Sequence, residues 1–180
     1  MKATGIVRRV DDLGRIVIPK EIRRTFRIKE GDPLEIYTEK DGGVIFRKYS
    51  PMGDLQEFAS QMCDSMGEST GRIAAICDRD SIIAVHGAPK RDLLDKPVSQ
   101  ELEKMMKQRT HYLFKRGEAR VPLTEGNDHY QLGSCAPILS QGDLMGCVIF
   151  LQEEDGDALQ EGDLSLLKTA AAFLGKQMEQ

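Results

Sequence analysis

Thr4-Gly5-Ile6-Val7-Arg8-Arg9-Val10-Asp11-Asp12-Leu13-Gly14-Arg15-Ile16-Val17-Ile18-Pro19 decides how the first third of this chain is read. Thr4 to Val10 is rich in β-formers. Asp11-Asp12-Leu13-Gly14 turns the chain, because Asp bonds its own backbone and Gly permits positive φ. Arg15-Ile16-Val17-Ile18 predicts a strand whose uninterrupted apolar run asks for cover on both faces. Pro19 suits the first position of a helix, where its missing N–H costs nothing, and Lys20 to Thr25 or Phe26 is that helix. Ile22 and Phe26 stand four apart and point inward together, while Arg23 and Arg27 share another face with Arg24 beside them. Gly31-Asp32-Pro33 is a loop. Leu34 to Thr38 and Val44 to Arg47 are strands joined at Lys40-Asp41-Gly42-Gly43, a hairpin signature.

A unit of fifty residues buries too little apolar surface to stand alone without metal, disulfide or partner. The four cysteines, Cys63, Cys77, Cys135 and Cys147, form no CxxC pair and all lie outside this segment. Their spacing supports neither a disulfide framework nor a local zinc site, so reduced, buried thiols are expected. Size and the doubly apolar strand together favour two intertwined chains.

Working outward, the net charge of -4 hides an asymmetry. Residues 1–50 carry a net +4 and residues 51–180 a net -8, with +6 concentrated in residues 1–29. A basic segment in an acidic protein is the footprint of a nucleic-acid surface. Arg8 and Arg9 end the first strand, Arg15 follows the turn, and Arg23, Arg24 and Arg27 line the helix. Folding back at Asp11–Gly14 would bring Arg8 and Arg15 together. A guanidinium bridges two acceptors in its plane, which suits guanine edges and phosphates alike. From spacing alone, pairing of these arginines with Asp11, Asp12 and Glu21 is an equal alternative.

Ser50-Pro51-Met52-Gly53 breaks the pattern, giving a first domain at 1–50, a linker at 51–55 and a second domain at 56–180. An amphipathic helix is expected from Asp54 to about Met66. Arg72 to Cys77 and Ser81 to His86 are strands joined at Asp78-Arg79-Asp80. Ser99 caps a helix through Met106 with Glu101 and Glu103 in its first turn. Val121 to Leu123, Cys135 to Leu139 and Gly146 to Leu151 are further strands. In the last helix, from about Ala158, Leu164, Leu167, Ala171, Leu174 and Met178 recur at spacings of 3, 4, 3 and 4. That stripe is either a seam for a partner subunit or an ordinary core face. Glu153-Glu154-Asp155 and Asp157 complement the positive end of this helix.

Catalytic machinery is hard to assemble. His86, His111 and His129 are scattered, no GxxxxGK[ST] or GxGxxG loop occurs, and Gly133-Ser134-Cys135 is not a nucleophile elbow. No enzyme activity, metal site or cofactor is expected. No run of 18 apolar residues crosses a membrane and the first residues lack a signal-like apolar stretch. The cytoplasm is therefore the expected compartment.

Lys2 to Pro19, continued by Lys20-Glu21-Ile22-Arg23-Arg24-Thr25 and Gly31-Asp32-Pro33-Leu34-Glu35-Ile36, resembles the AbrB-type swapped-hairpin DNA-binding domain. Ile76 to Gly87 and Gly142 to Phe150 resemble the opening and closing hairpins of a GAF domain. The resemblance implies an α+β chain: an N-terminal swapped-hairpin, β-barrel-like dimerisation and DNA-binding domain, then an α/β GAF domain with flanking helices. It carries DNA contacts onto Arg8, Arg15, Arg23 and Arg24; Arg9, Lys20, Lys2 and Arg27 are added from charge and position. It further implies recognition of promoter DNA through shape and flexibility rather than a strict base code. The whole chain is similar to two-domain sporulation regulators that activate some promoters and repress others, on the nucleoid of the developing forespore. Homodimers through the first domain would join into a homotetramer through GAF helices, and an unidentified small molecule would be the GAF ligand, at residues the sequence leaves unknown. Two rival readings are an antitoxin, since that N-terminal fold class includes them, and a metabolite sensor whose first domain only dimerises.

Overall fold

Residues 4–49, 52, 55–152 and 158–179 are described by the computed structural model, and they divide into two units, Met1–Tyr49 and Ser50–Gln180. In the first unit Pro19 precedes α1, Lys20–Thr25, as its fixed φ suits. The helix ends on Arg27 at φ 52°. There the Arg27 N–H donates to the Arg24 carbonyl at 3.3 Å and the Ile28 N–H to the Arg23 carbonyl at 2.7 Å, which is a Schellman ending. β1, Leu34–Thr38, and β2, Val44–Lys48, pair antiparallel with Leu34 opposite Lys48 and Thr38 opposite Val44. Their turn is closed by the Glu39 N–H donating to the Gly43 carbonyl at 2.8 Å.

The barrel-like sheet expected here is not formed. Among the described residues Thr4–Val10 and Arg15–Ile18 belong to no strand, and no sheet closes on itself. The β1–β2 hairpin is an open two-stranded sheet. Two five-residue strands have two free edges, and closure needs more strands, tilted and staggered. The β-rich composition of Thr4 to Ile18 marks a segment able to pair; it does not supply the pairing strand within the chain.

The second unit is built on an antiparallel sheet. α2, Gln56–Thr70, stops at Gly71 in the left-handed region, φ 68°. β3, Ala74–Asp78, and β4, Ile82–His86, form a hairpin. Two helices follow: α3, Lys90–Leu93, and α4, Gln100–Lys107. The Ser99 Oγ caps α4 by accepting from the Leu102 N–H at 3.1 Å. Then come β5, Tyr112–Leu113, β6, Pro122–Thr124, β7, Asn127–Ser140, β8, Asp143–Gln152, and α5, Glu161–Gln177. The sheet order is β4-β3-β8-β7-β5, with β6 also on β7.

Both faces of this sheet are covered, which is why β3 and β8 read as unbroken apolar runs. Ile76, Ala136, Ile138, Val148 and Phe150 pack under α2 and α5. Alternate residues Cys77, Cys135, Cys147, Ile149 and Leu151 pack under Leu93 of α3, Leu102 and Met106 of α4, and Leu123 of β6. Met52, within the predicted linker, is fully buried in the α2–α5 core. Of the α5 stripe, Leu164, Leu167, Ala171 and Leu174 are buried in that core and Met178 packs against it. The stripe thus serves the unit's own sheet. Glu153 to Asp157 lie outside the described residues.

Candidate nucleic-acid interface

The turn after Val10 is held by one carboxylate. Oδ1 of Asp11 accepts from the backbone N–H of Leu13 at 3.0 Å and of Arg15 at 2.8 Å. Oδ2 accepts from the Arg15 Nε at 2.8 Å. The Asp11 N–H donates to the Arg15 carbonyl and the Gly14 N–H to the Asp11 carbonyl, both at 3.0 Å, with Gly14 at φ 74°. The Arg15 amide, then its guanidinium, holds the Asp11 carboxyl below its ordinary value.

The basic side chains face water. Arg8, Arg9, Arg15, Lys20, Arg23 and Arg24 are all exposed. Arg8 donates through Nη1 to the Val7 carbonyl at 3.0 Å. Arg23 and Arg24 fall in the last turn of α1, where positive charge suits the helix dipole. Arg27 differs: it is half-buried in the left-handed helix ending, and its carbonyl accepts from the Lys48 Nζ at 3.2 Å. Lys2 lies outside the described residues. The alternative of arginines paired with neighbouring acids is seen at Arg15, which pairs with Asp11.

The first unit also leaves its apolar groups uncovered. None of residues 4–49 is buried. Twelve large apolar side chains are exposed, among them Val7 at 83%, Val17 at 72%, Leu13 at 70% and Ile36 at 62%.

In the second unit the four cysteines are buried thiols, and burial pushes Cys63 up to about 12. His86 Nδ1 lies 3.0 Å from Asp64 Oδ1. Among the described residues no three His, Cys, Asp or Glu side chains stand together as a metal site would need. A groove of about 340 Å³ lies between α5 and β7, lined by the apolar Pro137, Leu139 and Ala171 and by His111, Lys168, Lys176 and Glu179. Among the described residues no helix is long and apolar enough to cross a membrane.

Residues 7–54 match the family described as antidote-toxin recognition MazE, bacterial antitoxin. Over 73 residues the chain is 47% identical to the transition state regulatory protein AbrB of Bacillus subtilis (strain 168), covering 41% of this chain and 75% of that protein. Over 69% of this chain the fold is shared with the GAF domain/HD domain protein from Geobacter sulfurreducens, at a TM-score of 0.51 and 14% identity and covering 91% of that chain. These likenesses place the chain among DNA-binding transcription regulators, with an AbrB-type domain followed by a GAF-like domain. Residues 54–179 match the family described as stage V sporulation protein T C-terminal, transcription factor. Stage V sporulation protein T of Bacillus subtilis (strain 168) is 48% identical over 184 residues, spanning 100% of both chains. The chain belongs to the stage V sporulation protein T family.

Proposed function

We propose that this regulator grips promoter DNA through Arg8, Arg15, Arg23 and Arg24, doubled across a homodimer of the first unit. Arg9, Lys20, Lys2 and Arg27 add backbone contacts around that set. The observation that carries this reading is the first unit itself: Arg8, Arg15, Arg23 and Arg24 are exposed while no side chain between residues 4 and 49 is buried. Twelve exposed large apolar groups in so small a unit need a cover, and a second copy supplies an apolar surface of matching chemistry. Exposed Phe58 on α2 and Phe173 on α5 are the surfaces through which two dimers join into a tetramer. The protein works on the nucleoid in the cytoplasm, in the forespore, activating some sporulation promoters and repressing others. The GAF-like unit responds to a small molecule by binding one tetramer geometry better than another.

The test is fluorescence-anisotropy binding of the full chain to a promoter-length duplex across a salt series. With about six to eight phosphate contacts, log K falls against log salt with a slope of about -5 to -7. Arg8→Ala/Arg15→Ala flattens that slope while circular dichroism stays unchanged. Absence of binding at low salt would remove the DNA-binding reading.

A further inference from the structure

We infer that Asp11 is a positioning residue of the DNA interface, holding the Arg15 guanidinium side-on by its Nε and leaving the Nη edge for DNA. The inference rests on the proposed role of Arg15 and goes beyond it. An exposed carboxylate amid DNA-contacting arginines repels phosphate, so charge alone gives no reason for Asp11. Its geometry does. Oδ1 fixes the turn through the Leu13 and Arg15 amides, and Oδ2 is left for the Arg15 Nε at 2.8 Å. Neither Nη of Arg15 has a hydrogen-bond partner among the described residues, and the side chain is 69% exposed. The donor fork that matches guanine O6 and N7 or a phosphate is the Nη-containing edge. Arginine is a flexible side chain that loses rotamer freedom on docking. One tethered at Nε has lost part of that freedom before DNA arrives.

Asp11→Asn separates this role from turn-building and from charge. The Asn carbonyl oxygen still accepts from the Leu13 and Arg15 amides, but its NH₂ group is a donor and has nothing to offer the Arg15 Nε. The probes are the duplex that the wild-type full-length protein enriches from a random pool, and the unselected pool itself. Positioning predicts that D11N lowers the affinity ratio between the two by about fivefold to tenfold, the low end of one bidentate contact. R15A lowers it similarly, and adding D11N to R15A changes it no further. The Arg15 Nε–H resonance, followed by NMR in the free protein, exchanges slowly with solvent in the wild type and quickly in D11N. Asp11→Glu, which keeps an acceptor oxygen pair, restores part of the ratio. Simple charge repulsion predicts the opposite: D11N binds both probes more tightly with the ratio unchanged, and that result overturns the inference. So does additivity of D11N and R15A. If R15A loses discrimination while D11N does not, only the role of Asp11 fails; if R15A also keeps wild-type binding, the proposed contact at Arg15 fails with it.

Discussion

Arg27 occupies a backbone position that glycine fills more comfortably. At φ 52° it closes a Schellman ending, where an L side chain is strained by about 1 kcal/mol or somewhat more. Glycine relieves that strain but gains unfolded-state entropy, so Arg27→Gly should raise stability by roughly 0.5 kcal/mol in urea unfolding. If the Arg27 side chain meets a phosphate, the same variant loses about one unit of salt slope. Asp11 makes a second prediction at this scale. Its folded value lies below the ordinary 3.8, so the folded state gives up its proton more readily than the unfolded one. The stabilisation is therefore present above about pH 4 and lost as pH falls through the folded value. A carboxyl-carbon NMR titration should place the Asp11 midpoint under 3.8; a midpoint at or above it would contradict the hydrogen bonds described. The arginines were legible in the sequence because clustered charge is visible without coordinates. The grip of Asp11 on Arg15 was legible only as one pairing among several, with Asp11, Asp12 or Glu21, because spacing does not say which acid engages which arginine.

Elements were legible where local chemistry decides them. Ser99 before α4, the Lys40–Gly43 turn and the α1 helix after Pro19 all follow from caps, turn residues and fixed φ. Spacing could not say what the α5 stripe packs against, since a heptad seam and a core face share the 3, 4 rhythm. Gly175 and β7 supplied the answer: a Cβ at Gly175 would run into the Leu139 carbonyl, so α5 lies directly on its own sheet. Gly175→Ala should push α5 off β7 and cost about 1–3 kcal/mol, read as a lower thermal midpoint of the second unit. Beside this contact, burial and then the charge of Lys168 lower the His111 value below 6.5. A histidine depressed on folding destabilises as pH falls from about 6.5 toward its folded value, because the unfolded chain takes the proton first. Lys168→Gln should raise the His111 midpoint in an NMR titration without restoring it fully, since burial is the larger cause. Thr4 to Ile18 mark the opposite limit. Their pattern gives β propensity, and pairing is a property of what lies alongside.

Across the whole molecule the two units differ in how self-sufficient they are. The second has two apolar layers around its sheet; the first has no buried residue among those described. If the first unit is stable only as a dimer, its thermal midpoint rises with protein concentration, and calorimetry over a hundredfold concentration range reads that rise. Phe58→Glu/Phe173→Glu should leave that dependence intact and reduce a tetramer to dimers in sedimentation velocity. The cysteines carry one more consequence. With Cys63, Cys77, Cys135 and Cys147 buried and their thiols held protonated by burial at Cys63, Cys77 and Cys147, alkylating dyes meet no ready nucleophile on the native fold. A single cysteine introduced on the exposed face of α1 would then be the one site to take a fluorophore or spin label, so the approach of the arginine surface to a duplex becomes measurable in an otherwise wild-type chain.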